Sequence, residues 1–421
     1  MKIGILGGGM TGLTASYYAS KKGYQVTLFE KENHFGGLAS GFRGKNWLWP
    51  LERTYHHLFS NDTDIVHFAQ ETGFNGIFFK NPLTASAYEN ENKTINIYPF
   101  TSPLDLLSFP LLSPIQKIRA STILAFLKCS PFLKKYEQMT AQEFLQKTMG
   151  KKTWNILWQE LFRKKFGKYA GNIVASFIWS RIKKRTRSLG YIEGGFQNLI
   201  DYLEITIKKQ GTVIKKKYEV TSLRKEGTMI LINGEAFDKV ISTLPTPILR
   251  KLAHHFFPEE YHTRLTRINY LHAHNLIIET KQPFLDKIYW LNIMVPYIPF
   301  TVMVQHTHFI DKKNYNNHHL LYIGNYLERD DPRMNMEKDG VVNHFLPYIQ
   351  RITNNNPDIL NTYLFKGPFA QPIFDKEFIK NKPDFETPIK NFYIANLDMT
   401  YPHDRGTNYA VKLGKEVVER I

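Results

Sequence analysis

"KIGILGGGMTGLTASYYASKKGYQVTLFE" (residues 2–30) decides how this 421-residue chain is read. A short apolar run is followed by four glycines within six residues, Gly7 to Gly12. Glycine inside a regular element costs roughly 0.5–1 kcal/mol relative to alanine, so the cluster needs a use for bare backbone. "LTASYYASKKG" reads as a helix stopped by Gly23, and "QVTLFE" as a second strand closing on Glu30. Strand, glycine turn, helix and strand in about 30 residues make a βαβ mononucleotide-binding unit. In Gly7-x-Gly9-x-x-Gly12, Gly7 permits the tight turn, Gly9 admits a pyrophosphate, and Gly12 lets helix and strand pack closely. Met10 and Thr11 open the helix, whose positive end faces that pyrophosphate. Glu30, 18 positions after Gly12, stands where a carboxylate accepts from a ribose hydroxyl and disfavours a 2′-phosphate.

Length predicts two or three domains. The single cysteine, Cys129, excludes an internal disulfide and any Cys-built zinc or iron–sulfur site. No stretch reaches the ~20 uninterrupted apolar residues of a membrane span. The glycine cluster interrupts the first apolar run and no small-residue cleavage pattern follows, so the expected location is cytoplasmic, with the inner membrane face as a peripheral site. The net charge of +17 is uneven. Between positions 115 and 185 stand 16 Lys/Arg against three acids, Glu137, Glu143 and Glu160. Phosphates or anionic headgroups would be drawn there. Nucleic acid is not expected, because no recognised binding motif accompanies the charge.

Further along, Ser113–Pro114 predicts a helix start, Thr140 with Glu143 a capping box, and Gly150 a stop. "KTWNILWQELFRKKFG" and "NIVASFIWSRIKKR" read as two more amphipathic helices, giving a mostly helical basic module over about 100–187. After it come a glycine turn, a helix ending at Gly211, and alternating strands that end in a turn at Pro245 and Pro247. Strand-like runs recur at 274–279, 302–305 and 319–322, then "NFYIANLD" as a strand and "GTNYAVKLGKEVVERI" as a final helix. A helix opening near Gly406 would present unpaired N–H groups and the positive end of its dipole to an electron-rich group placed there.

"ENHFGGLASGF" resembles the second glycine motif of flavin enzymes related to amine oxidases, which implies that Lys31, Gly36, Gly37, Leu38 and Ala39 contact FAD. "GYIEGGFQNLIDYL" is similar to those enzymes' segment entering a helix. "EVTSL" and "FDKVISTLPTP" resemble their adenine-flanking strands, placing Val220 and Thr243 beside the cofactor. "NFYIANLDMTYPHDRGTNYAVKLGKEV" resembles the C-terminal flavin motif, implying roles for Asp404, Arg405, Gly406, Asn408 and Tyr409. Asp404 and Arg405 are equally read as a structural ion pair. With "LERTYHHLFSND", "KFGKYAGNIVASFIWSRIKKR", "YWLN" and "QHTHF", the whole chain resembles the protoporphyrinogen-oxidase-like NAD(P)/FAD-dependent oxidoreductases of the flavin amine oxidase superfamily, neighbours of UDP-galactopyranose mutase. The resemblance implies an α/β fold with FAD as cofactor. Its GxGxxG Rossmann-type FAD-binding domain, of the glutathione reductase/amine oxidase kind, is expected from residues 1–80, 188–247 and 375–421. A substrate domain of antiparallel sheet plus the helical module is expected from 81–187 and 248–374.

In such enzymes a substrate gives a hydride to flavin N5, and proton transfers favour histidine. His56 and His57 are the catalytic candidates, with packing histidines as the alternative. Arg53, Tyr289, Trp290, Asn325 and Tyr326 are candidate cavity residues, although aromatics are more often core. His306 and His308 alternate as on a strand but lack a third ligand, so no metal site is expected. The leading expectation is an FAD-dependent oxidoreductase acting on a hydrophobic or lipid-associated small molecule. The rivals are a mutase-like enzyme without net redox, which lacks the mutases' "EYKY"-type segment here, and a scaffold holding FAD structurally. Three readings of the basic module remain open: an anionic membrane surface, a docking face for a phosphorylated or lipid-linked substrate, or a solvated face over an ordinary core.

Overall fold

The computed structural model describes residues 1–421. The opening segment folds as its pattern dictates, into β1 (Lys2–Leu6), α1 (Met10–Lys21) and β2 (Gln25–Phe29). Both strands are apolar and, past their first residues, buried, as strands covered on both faces must be. They lie in a five-stranded parallel sheet ordered Val213–Lys215, β2, β1, Lys239–Ser242, Phe392–Ile394. Three separate stretches of the chain therefore build one sheet. A three-stranded antiparallel meander, Leu223–Glu226, Met229–Ile232 and Glu235–Phe237, is attached to it in sequence.

The second layer is a seven-stranded sheet. Its order is Ile359–Pro372, Tyr270–Thr280, His319–Leu327, Val302–Gln305, Ile288–Ile293, Leu83–Glu89, Ile95–Pro99. All neighbours are antiparallel except Ile288–Ile293 beside Leu83–Glu89. The helical module contains Pro103–Ser108, Pro114–Cys129, Leu133–Tyr136, Ala141–Met149 and Ala175–Lys184. A further rod runs from Lys151 to Phe166 and contains a π-helical turn at Asn155–Gln159. Ser113 and Thr140 both close capping boxes, with Gln116 and Glu143, as local rules require. No helix is long and apolar enough to cross a membrane.

The final helix, Thr407–Glu419, lies directly on α1. An added carbon at Gly414 would sit 2.6 Å from the Thr11 carbonyl oxygen and 2.8 Å from Thr14 Cβ. On the other side of the turn, a carbon at Gly12 would sit 1.9 Å from the Gly7 carbonyl oxygen. Both ends of the chain are thus locked around one helix by glycine.

Three sequence expectations need correction. Pro245 and Pro247 do not end in a turn: Pro245 precedes the helix Thr246–Leu252, with Pro247 in its first turn, where a missing N–H costs nothing. The "NFYIANLD" strand stops at Ile394, because Asn396 accepts from the Asp398 N–H and starts a 3-10 turn at Leu397–Thr400. His306 and His308 lie in a 3-10 turn, His306–His308, after the strand ends at Gln305. The Gln305 side chain accepts from the Phe284 and Leu285 N–H groups and closes that strand.

Gly12→Ala is expected to lower the thermal midpoint by several degrees, the effect of ~1–3 kcal/mol of overpacking against backbone that cannot retreat. Gly171→Ala, whose new carbon meets nothing within 4 Å, should leave it unchanged. Equal midpoints for the two variants in a thermal unfolding series would refute the packing argument.

Candidate functional site

The glycine turn after β1 is built to leave space. Gly7 has φ +97°, the left-handed region that favours glycine, and its N–H donates to the Phe29 carbonyl at 2.9 Å. A carbon on Gly9 would meet nothing within 4 Å, so that flank of the turn opens onto a cavity. The second glycine loop lies against the first: the Gly36 N–H donates to the Gly8 carbonyl at 2.9 Å, with φ +117° at Gly36 and +56° at Gly37. Glu30 is pinned at the end of β2. Its carboxylate accepts from the Gly8 N–H at 2.8 Å and the Glu32 N–H at 2.9 Å. Each oxygen keeps further acceptor capacity for a ribose hydroxyl.

The cavity has a volume of about 1160 Å³, above the ~300–1,000 Å³ of an ordinary small-molecule pocket. It has room for a dinucleotide and a second molecule. Its wall includes Gly7, Gly9, Met10, Thr11, Glu30 and Lys31, then Gly36, Gly37, Leu38, Ala39, Val220 and Thr243. Asp404, Arg405, Gly406 and Tyr409 share the same wall. Gly406 is the N-cap of the final helix, and no side chain caps its first-turn amides. The Tyr409 N–H donates to the Gly406 carbonyl at 3.1 Å, while the Thr407 and Asn408 amides and the helix dipole remain available to a ligand's electron-rich edge.

Two of the expected cofactor residues do not line the cavity. Gly12 is used in packing against the Gly7 carbonyl. Asn408 faces the helix Thr63–Thr72: its amide donates to Asp64 at 2.9 Å and its oxygen accepts from the Ile65 N–H at 3.0 Å. Among the candidate cavity residues, Arg53, Trp290 and Tyr326 line the wall, whereas Tyr289 and Asn325 do not. Asn325 accepts from the Thr301 N–H at 3.0 Å. His306 and His308 face protein partners, Tyr315 Oη at 2.9 Å and the Leu285 carbonyl at 2.6 Å.

His56 and His57 both stand in the cavity wall. His56 Nδ1 donates to the Thr54 carbonyl at 2.6 Å, which leaves Nε2 as the acceptor. Burial, helped by the nearby Arg405 charge, lowers His56 to about 4. Burial, helped by His56, lowers His57 to about 3. His57 Nδ1 lies 3.3 Å from Tyr289 Oη, so Tyr289 acts on the site through His57. At neutral pH both imidazoles are uncharged.

Sequence reasoning missed the ties that fix these groups. Lys165 reaches Asp404 at 2.8 Å, and Arg181 also bonds it, so two cations of the helical module hold the C-terminal loop. Burial alone would raise the Asp404 carboxyl, but Lys165 and Arg181 beside it hold it well below the usual carboxylate range. Asp404 is therefore ion-paired to the module and takes only the backbone N–H of Arg405, at 3.1 Å, not its guanidinium. The Arg405 guanidinium bonds Tyr326 Oη and lies 4.9 Å from that ring, with Nη1 free of any protein partner. Glu52, fully buried, accepts from Tyr191 Oη at 2.6 Å and the Phe196 N–H at 2.8 Å. It joins the segment carrying His56 to the start of the helix Gly195–Lys209. The signals were present: a lone acid in "LERTYHH", and the basic doublets of "FRKKF" and "SRIKKR".

These residues fit FAD. The Gly9 flank is open, Glu30 is pinned at the ribose position, and buried donors with no protein partner — Arg405 Nη1, Trp158 Nε1 — belong to the cavity lining.

Comparison with known proteins agrees with this arrangement. The model for flavin-containing amine oxidoreductases matches residues 10–421. An L-amino-acid oxidase from Crotalus adamanteus is 27% identical over 35% of this chain and 30% of its own length. A 1-hydroxycarotenoid 3,4-desaturase from Flavobacterium sp. (strain P99-3) is 30% identical over 48% of this chain and 42% of its own. The chain spans about a third of the length of the first of these curated relatives and less than half of the second. In fold, a putative protoporphyrinogen oxidase from Exiguobacterium sp. 255-15 superposes with TM-score 0.75 at 16% identity, covering 100% of this chain and 98% of that one. A reduced UDP-galactopyranose mutase gives TM-score 0.76 at 15% identity, with 100% and 95% covered.

Two outcomes are expected from this geometry. Gly9→Ala should fold with an unchanged unfolding midpoint when stripped of cofactor, yet lose most bound FAD; Glu30→Ala should weaken FAD by about tenfold or more, the worth of charge-assisted hydrogen bonds. Flavin absorbance after gel filtration reads both, and full FAD occupancy in Gly9→Ala would contradict the cradle. Separately, burial raises Glu52 to about 7, against the hydrogen bonds from Tyr191 and Phe196. A raised carboxyl contributes stability that is complete below its unfolded pKa, about 4.3, and is lost as pH climbs through about 7. The wild type should therefore lose up to ~3 kcal/mol over that window from this group, and Glu52→Gln should flatten the slope in urea titrations at several pH values.

Proposed function

The chain belongs to the flavin-containing amine oxidoreductase family, and from that premise we propose that it is an FAD-dependent oxidoreductase of a hydrophobic or lipid-associated substrate. When bound, FAD supplies the hydride acceptor at N5, with oxygen or another acceptor reoxidising it. The observation that carries the substrate class is the wall contributed by the helical module. Trp158, Leu161, Phe162, Phe166, Phe177 and Ile178 line the same cavity as the glycine loops. Cations in that region, Arg185 and Arg187, are solvent-exposed, which suits a donor with an apolar body and a polar or anionic end. By its name the related desaturase acts on a 1-hydroxycarotenoid, which suits this apolar lining better than an amino acid does.

The chain's own groups orient the donor and keep water out. The aromatic wall desolvates the reacting carbon. His56 and His57, neutral at pH 7, can accept hydrogen bonds from a polar substituent of the donor without placing a cation beside its reacting carbon. Trp158 and Arg405 line the same wall, and their Nε1 and Nη1 are buried without a protein partner.

Anaerobic mixing tests this reading. Polyprenols, carotenoids, porphyrinogens, amines, amino acids and nucleotide sugars are each added to FAD-loaded protein while the visible flavin band is followed. Apolar donors should bleach it, and His57→Ala should slow bleaching by about tenfold or more. Bleaching by amines or amino acids alone would overturn the substrate class. Conversion of a nucleotide sugar by dithionite-reduced protein, with no net oxidation, would replace it with mutase chemistry.

A further inference from the structure

The outer face of the helical module has no role in the cavity, yet it is apolar. Of the 15 large hydrophobic side chains exposed on the molecule, seven lie within residues 104–132. Ile115 is 78% exposed, Leu104 72% and Ile118 64%, with Leu107, Phe126 and Phe132 about half exposed. The helix Pro114–Cys129 already has an inner face, where Ala120 and Leu127 are fully buried. Ile115, Ile118 and Phe126 recur at helical spacing on a second face, turned to solvent. A solvated face over an ordinary core would be polar there.

Cations surround this face. Arg119, Lys128, Lys135, Lys147, Lys151 and Lys152 are exposed, and none pairs with a carboxylate. The Arg119 guanidinium donates to the Lys147 carbonyl at 2.8 Å and to that of Thr148, which draws the 147–152 lysines against the helix carrying Ile115 and Ile118. The patch also adjoins the cavity. Thr84 and Thr101 both line it and are bonded at 3.0 Å, and the Thr101 N–H donates to Asp105 at 2.8 Å, in the helix bearing Leu104 and Leu107.

We propose that this face docks on lipid bilayers carrying anionic headgroups, with the Leu104–Phe132 side chains entering the interface and the flanking lysines and Arg119 meeting the headgroups. Apolar residues ringed by unpaired cations are what such an interface selects, since each component alone binds weakly and reversibly. Docked in this way, the Thr84–Thr101 edge of the cavity faces the bilayer. Delivery of a substrate from the membrane rests on the substrate class proposed for the cavity; the docking surface does not.

The test is sedimentation of the FAD-loaded full chain with vesicles of phosphatidylcholine, with and without phosphatidylglycerol. Binding to the anionic vesicles should exceed binding to phosphatidylcholine alone by about tenfold and fall as salt is raised. Ile115→Asp with Ile118→Asp, and separately Lys151→Glu with Lys152→Glu, should each cut binding by about tenfold. Their bound FAD and unfolding midpoint should stay at wild-type values, because these side chains are exposed. No sedimentation at low salt, or variants that sediment like the wild type, would overturn the proposal. So would a concentration-dependent dimer abolished by the isoleucine pair with no vesicle binding, which would assign the face to a second copy of the chain. Sedimentation is read without turnover, so its failure and the failure of the substrate reading are separate results.

Discussion

A single carbon added at Gly12 would sit 1.9 Å from the Gly7 carbonyl oxygen, and one added at Gly414 would sit 2.6 Å from that of Thr11. Neither oxygen belongs to a side chain that could swing away. Helix α1 is therefore held backbone to backbone by the turn before it and by the last helix of the chain. This double contact brings residues 404–407, Tyr409 and Ala410 into the wall that residues 7–11 begin, although some 400 positions separate them in sequence. Without it the glycine turn would be an open anion site. With it, the turn and an uncapped helix start share one cavity sized for a dinucleotide and a second molecule.

Charge is then arranged by contrast. The histidines of the wall are kept neutral by burial, while Asp404 is kept ionised in a similar setting by two cations. The difference lies in partners: His56 and His57 have a carbonyl and a phenol, whereas Asp404 has Lys165 and Arg181. A buried carboxylate without them would protonate and release the loop that carries Arg405 and Gly406. The ion pair thus orders the loop more than it stabilises the fold, since desolvating three charges offsets much of their attraction.

What could be read from the sequence was what is local. β1, α1 and β2 are contiguous, and their glycines, apolar runs and terminal acid each report a nearby constraint. The capping boxes at Ser113 and Thr140 were legible for the same reason. The seven-stranded sheet was only partly so. Its edge strand Ile359–Pro372 is largely half-exposed, with no clean alternation, and its pairing with Tyr270–Thr280 spans about 90 positions. The helix Lys338–Thr353 was hidden by Pro347 in its interior. His306 and His308 misled because their alternation suggests a strand, whereas the Gln305 side chain ends that strand one residue earlier. In the site, the glycine-loop residues followed from their motif. The Lys165–Asp404–Arg181 cluster did not, because it joins positions more than 220 apart.

The helical module is where these constraints meet. Its inward side chains do two things at once: the aromatic ones form one wall of the cavity, and Lys165 and Arg181 position the loop that starts the final helix. The π-helical turn at Asn155–Gln159 adds one residue to a helical circuit, which rotates the side chains of the next turns to a different face. Trp158 lies within that π-turn and lines the cavity, while Phe162 and Phe166 continue the wall one and two turns later. A module tied so firmly to the cofactor side by its inner charges needs no apolar residues outside to hold it in place. The apolar side chains of its outer face take no part in that attachment.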